Sequence, residues 1–127
     1  MALKFSGAEV KPITAKTKTV SDRETYTFTA QDGGEYLQYI GTTDSIFTVP
    51  PNSSESFSDG VIITVEQSTT GQITFDGGVG VTITSKADLM SAKEGSVVNL
   101  KRISSDNWIL YGDTMDNTTM AMTIAMA

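Results

Sequence analysis

Between Thr25 and Gly112 the chain is a succession of short runs in which apolar and polar residues alternate, each stopped by Gly, Pro, Asn, Ser or Asp. That pattern admits strands with one buried face and leaves no room for a long helix. Thr25-Tyr26-Thr27-Phe28-Thr29-Ala30 places Tyr26, Phe28 and Ala30 on one side. Asp32-Gly33-Gly34 turns the chain into Glu35-Tyr36-Leu37-Gln38-Tyr39-Ile40, and Ser45-Ile46-Phe47-Thr48-Val49 runs into Pro50-Pro51. Two prolines cannot donate to a central ladder, so the strand ends there. A polar loop, 52–60, precedes runs over 61–67 and 72–75, and the linking Ser68-Thr69-Thr70-Gly71 is read as a hairpin-like connection. Asp76-Gly77-Gly78 turns into 79–84, and the polar stretch 85–95 has room for one helical turn around Ala87-Asp88-Leu89-Met90. A last hairpin joins 96–102 to 108–111 across Ser104-Ser105-Asp106-Asn107. The expectation is an all-β fold of about eight strands, a compact antiparallel β-sandwich or small barrel of jelly-roll type with an extended N-terminal arm.

Length and charge narrow the possible functions. At 127 residues the chain makes one domain and buries roughly two thirds of its unfolded surface. A net charge of −6 opposes attraction to a phosphate backbone, so no nucleic-acid partner is expected. With no Cys there is no disulfide framework or thiolate metal site. The absence of His removes the usual general base and the commonest zinc ligand. Met1-Ala2-Leu3-Lys4-Phe5-Ser6 lacks the apolar core of a signal peptide. No apolar run approaches the roughly 20 residues of a membrane helix, so no membrane partner is expected and folding in a cytosol is.

Charge is unevenly spread. Residues 1–23 hold Lys4, Lys11, Lys16, Lys18 and Arg23 against Glu9 and Asp22, a balance of +3 that leaves −9 for the rest. This stretch has no sustained periodicity and is interrupted by Pro12. It reads either as a solvated terminus or as an arm docking on an acidic surface. In the second case Leu3, Lys4, Phe5, Lys11, Lys16 and Lys18 form the contact set, with Val10 and Ile13 as further apolar anchors. At the other end Met120, Met122, Ile124 and Met126 alternate with Ala121, Thr123, Ala125 and Ala127. An apolar strand with so little charge needs a cover. Methionine suits an adaptable subunit interface, so residues 114–127 are read as a strand at a subunit contact.

Catalytic chemistry finds little foothold. Gly77-Gly78-Val79-Gly80 opens no helix and reads as a turn, not a phosphate cradle. There is no G-x-S-x-G nucleophile motif and no D-x-D-x-D-G calcium loop. Paired carboxylates remain, drawn from Asp32, Glu35, Asp44, Asp59, Glu66, Asp76, Asp88 and Asp106, but these sit mostly in turns where Asp satisfies backbone N–H groups. No enzyme activity, cofactor or metal is expected. Trp108, Tyr36, Tyr39 and Tyr111 are candidates for a sugar-stacking platform. Trp108 and Leu110 share one strand face, Ile109 and Tyr111 the other, which reads as core buried on both sides.

The order of the short patterns carries a resemblance. It runs from Gly33-Gly34-Glu35-Tyr36-Leu37 through Ile46-Phe47-Thr48-Val49-Pro50 and Gly60-Val61-Ile62-Ile63-Thr64-Val65 to Gly71-Gln72-Ile73-Thr74-Phe75 and Gly80-Val81-Thr82-Ile83. It closes on Val97-Val98-Asn99-Leu100-Lys101-Arg102 and Asp106-Asn107-Trp108-Ile109-Leu110-Tyr111-Gly112-Asp113. Residues 24–113 thus resemble a small β-domain of tailed-bacteriophage structural proteins, among them tail-fibre, tailspike and head-fibre or decoration proteins. The resemblance implies a virion structural protein, assembled in the host cytoplasm, usually a homotrimer and without catalytic residues. The chain has no long shaft, so the implied role is a capsid decoration (cement) protein that binds the major capsid protein or another virion protein through its arm. The alternative is a tail-fibre or tailspike receptor- or glycan-binding module.

Overall fold

The structure, a computed structural model, describes residues 15–116 and the backbone of two short segments, β1 (Lys4–Phe5) and β2 (Ala8–Glu9), which pair antiparallel. The main body holds β3 (Thr17–Val20), β4 (Thr25–Thr27), a 3-10 turn (Ala30–Asp32), β5 (Tyr36–Tyr39), β6 (Ser45–Val49), β7 (Ile62–Gln67), β8 (Ile73–Gly77), β9 (Thr82–Ser85), β10 (Val97–Ser104) and β11 (Asn107–Gly112). The all-β reading holds.

The expected antiparallel connectivity gives way to a coil. Successive strands alternate between two sheets: β3, β5 and β7 pair in parallel in one, β4, β6 and β8 in the other. The path is a β-solenoid of about three turns. It closes where β10 pairs antiparallel with both β7 and β11, and β9 joins β11 in parallel, giving the sheet order β3-β5-β7-β10-β11-β9. The terminal β10–β11 hairpin forms as expected from sequence.

Residues 68–71 do not make a hairpin. They form a corner that carries the chain into the other sheet, and its backbone bonds go to the corner of the preceding turn, Ser68 N–H to Tyr39 C=O (3.0 Å) and Gly71 N–H to Gly41 C=O (3.1 Å). A Cβ on Gly71 would overlap the backbone of Gly41 and Thr43, so the two corners stack this closely because Gly71 has no side chain, while a Cβ on Gly41 would collide with the Tyr39 ring and Asp22. Nor do residues 87–90 form a helical turn. Met90 bridges Thr74 and Ser91 bridges Thr114, extending the three-stranded sheet beyond β8.

The core lies between the sheets. Tyr26, Phe47 and Phe75 are register partners on adjacent strands. The Phe47 ring centroid lies 5.0 Å from Tyr26, 5.6 Å from Phe28, 5.5 Å from Tyr39 and 6.2 Å from Phe75. The contacts with Phe28, Tyr39 and Phe75 are edge-to-face and that with Tyr26 is tilted, and edge-to-face packing adds stabilisation beyond the buried area. Trp108 belongs to the core, against Phe57 at 5.1 Å. The opposite face of β11 is not buried, however: Ile109 is half-buried and Tyr111 is 41% exposed, so only one side of that strand packs inward.

Buried Arg102 ties the 50–61 loop over this end of the core. Its guanidinium donates to Phe57 C=O (2.8 Å), Asp59 Oδ1 (2.5 Å), Asn52 Oδ1 (3.2 Å) and Ser105 C=O (3.0 Å). Five donors in a rigid fork suit this set of acceptors; lysine offers a single ammonium.

Phe47→Ala is expected to cost about 3–5 kcal/mol, read as a lowered midpoint in urea unfolding. Ser45 has a buried hydroxyl with no partner among the described residues. Ser45→Ala should therefore raise the midpoint, by roughly 1 kcal/mol in unfolding free energy, because an unsatisfied polar group is removed.

Candidate functional site

The first turn of the coil combines unpaired sheet edges with a polar plug. Tyr36 and Ile40 N–H donate to Lys16 and Val20 C=O, so residues 16, 18 and 20 direct their backbone groups toward β5. By strand alternation Thr17 and Thr19 direct theirs away from it. In the second sheet Ile46 N–H donates to Glu24 C=O and Phe28 N–H to Thr48 C=O, which leaves Thr25 and Thr27 facing outward in the same way. Among the described residues no strand pairs with these outer edges of β3 and β4. All four threonines are exposed.

Beneath the edges the core is closed by Lys18, Tyr26 and Asp32. Lys18 shares its strand face with buried Val20, and its side chain turns inward over the end of the coil. The ammonium donates to Asp32 Oδ1 (2.9 Å) and to the Tyr26 hydroxyl (3.1 Å), and that hydroxyl donates to Asp32 Oδ2 (2.8 Å). Asp32 is fully buried and also accepts the Thr29 N–H at 2.9 Å. The bond to Asp32, then that to Tyr26, holds the Lys18 pKa well above the usual lysine range. Burial, helped by the bond to Asp32 and opposed by Lys18, raises that of Tyr26. The Arg23 guanidinium lies 5.6 Å from the Tyr26 ring centre, capping the plug from outside.

A second polar network lies on the outer face of the large sheet. The Glu66 carboxylate accepts the Tyr36 and Ser68 hydroxyls, and Gln38 Nε2 at 3.4 Å. Burial, then the bond to Glu66, pushes Tyr36 up to about 12. The Ser68 and Tyr36 donors hold Glu66 below the usual carboxylate range.

These contacts revise the residue set expected for the arm. β3 lies within 1–23, so part of that stretch belongs to the coil, and the Lys18 side chain, still 42% exposed, is paired with the buried Asp32. Lys16 is exposed where the chain enters β3. Of the others, Lys4 and Phe5 are described only as backbone in β1, while Leu3 and Lys11 lie outside the described residues. Met120, Met122, Ile124 and Met126 also lie outside them. Tyr39 is fully buried, its hydroxyl 2.6 Å from Thr43 C=O and 2.9 Å from Arg23 C=O, so it offers no surface for stacking.

The turn carboxylates act on the backbone. Asp22 accepts the Thr43 N–H (2.9 Å), Asp44 that of Gln72 (2.9 Å) and Asp106 that of Asn52 (2.7 Å). The first of these bonds lowers the Asp22 pKa. Asp59 instead pairs with Arg102. Sequence reasoning missed the inward roles of Lys18 and Arg102, although each occupies the apolar parity of its strand, with Val20 and with Val98 and Leu100.

No protein-family model, curated protein or solved structure matches the chain.

Lys18, Tyr26 and Tyr36 all have raised pKa values in the folded state. Their contribution is complete below the unfolded-state values, about 10 for both residue types, and is lost as pH rises through the folded ones. The urea midpoint should therefore be level from pH 7 to about 9 and fall above about 10. Tyr36→Phe should flatten part of that fall.

Proposed function

We propose that this chain is a bacteriophage virion structural protein, a non-enzymatic capsid decoration protein. In this reading its N-terminal stretch engages the head shell and its C-terminal strand joins subunits into a homotrimer. The supporting observation is polarity. The chain enters the coil at β3, on one edge of the stack. It leaves past Thr114 and Met115, which lie against Ser91 and Met90 on the far side of β8. The basic stretch and the methionine-rich stretch thus adjoin opposite ends of the coil. That is the arrangement a bridging protein needs.

Binding alone performs the work in this reading. Leu3, Lys4, Phe5, Lys11 and Lys16 contact the major capsid protein, and Lys18 is withdrawn from the set because Asp32 holds its ammonium. Joining three copies converts weak arm contacts into avidity when the arms reach neighbouring capsid subunits together. The protein is assembled in the host cytoplasm and resides in the virion. A tail-fibre or tailspike receptor- or glycan-binding role is the second reading, and it draws on the exposed Tyr111, which lies in register with Asn99, Thr64 and Tyr36 across the large sheet.

Quantitative mass spectrometry of purified virions separates the two. Copies in the hundreds, in fixed proportion to the major capsid protein, are expected for decoration. A handful would transfer the protein to the tail or a vertex, and absence would overturn a virion role. Deleting residues 1–14, which spares β3, should abolish capsid binding and leave the unfolding midpoint unchanged.

A further inference from the structure

We propose that the open edges of β3 and β4 receive the C-terminal strand, residues 120–127, of a second copy of this chain. The inference deepens the proposed self-association and rests on that part of the reading. It names the surface on which the strand of the neighbouring subunit is seated.

The chemistry of the acceptor end selects a strand over other occupants. The apolar core is already closed there, since Phe28 and Asp32 are fully buried and Lys18, Tyr26 and Arg23 cover them. What the end does present is backbone, with the N–H and C=O groups of Thr17, Thr19, Thr25 and Thr27 directed away from β5 and β6. Strand addition satisfies such groups. An inward charge on an edge strand discourages indiscriminate pairing. Here the Lys18 ammonium is paired with Asp32 and lies 5.7 Å from the Tyr26 ring centre, and much of the lysine side chain remains exposed. A flexible methionine side chain packs against such a surface without demanding a preformed pocket.

The sequence 120–127 matches this acceptor. It alternates Met120, Met122, Ile124 and Met126 with Ala121, Thr123, Ala125 and Ala127, and contains no proline or charge. One face is apolar and every residue carries a backbone N–H.

Reach decides which copy supplies the strand. The exit at Met115 and the edge at β4 are separated by β6, β8 and Met90. That is four strand spacings, and a strand lying beyond β4 adds a fifth, roughly 24 Å in all. Only Asn117, Thr118 and Thr119 lie between Asp116 and Met120. Fully extended from Met115 to Met120, the connection spans about 17 Å. The chain's own edge is out of range, so the contact is between copies. It is head-to-tail, and closes into a ring when the rotation per copy permits.

The test measures the mass of the full chain in solution by light scattering, with and without excess synthetic peptide 117–127. The expected result is a trimer that the peptide converts to single chains, a threefold fall in mass. Thr19→Pro with Thr27→Pro should do the same, because an outward N–H is lost from each edge while the bonds to β5 and β6 are kept. If the double variant fails to fold, the peptide competition decides alone. A trimer indifferent to the peptide would overturn the edge assignment and leave trimerisation standing. A full chain that is monomeric at all concentrations would overturn both the edge assignment and the homotrimer, whereas shell binding is judged separately by copy number.

Discussion

Phe47 sets the register of the coil. Parallel strands offer evenly spaced hydrogen bonds that by themselves tolerate a shift in pairing, whereas side-chain packing does not. Because Tyr26 and Phe75 occupy the register positions on either side, one ring touches aromatic residues from all three turns. Phe28 and Tyr39 close on the same ring from the corner and the facing sheet. A slip of one residue in β4 or β8 would turn its aromatic outward and place a threonine or aspartate within the core. The rest of the molecule is arranged around this column: corners stacked through Gly41 and Gly71, and a hairpin at the far side that changes strand direction and ends the coil.

A coil of parallel strands leaves its two ends to be managed, and charged groups do so differently at each. On one side Lys18 and Asp32 seal the core from within, the buried carboxylate satisfied by an ammonium, a hydroxyl and a backbone N–H. Elsewhere Arg102 holds the 50–61 loop over Trp108 by binding its carbonyl and side-chain oxygens. Removing either set of bonds would strand buried polar groups, a larger penalty than the net worth of any one bond. The functional proposals draw on this asymmetry: satisfied loops on one side and, among the described residues, unpaired backbone where β3 and β4 form the edge.

Strand positions were legible because alternation records burial directly. β6 and β10 lie where the runs around Phe47 and Leu100 place them, and Trp108 is core as read. Pairing direction was not legible, since a strand with one buried face alternates identically beside a parallel or an antiparallel neighbour. The same ambiguity made residues 68–71 look like a hairpin. Their distinguishing partners, Tyr39 and Gly41, lie a whole turn earlier in the chain. For the candidate site, the basic character of the first 23 residues was visible, but the withdrawal of Lys18 from it was not. Parity with Val20 hinted at an inward side chain, and only the 3-10 turn that brings Asp32 beneath it explains why a lysine is tolerated there.

The sequence by itself therefore determined the class and the punctuation. Thr, Val and Ile in alternation specify strands, and glycine, proline and aspartate specify where they stop, because these are local preferences of a few consecutive residues. Only the tertiary structure decided that the strands wind as a parallel coil, that Lys18 and Arg102 face inward, and that the chain enters and leaves at opposite ends. Each depends on contacts between residues far apart in the chain, such as Lys18 with Asp32, Phe47 with Phe75 and Arg102 with Phe57. No local propensity encodes such a contact; it exists when the packed core brings both partners to the same place.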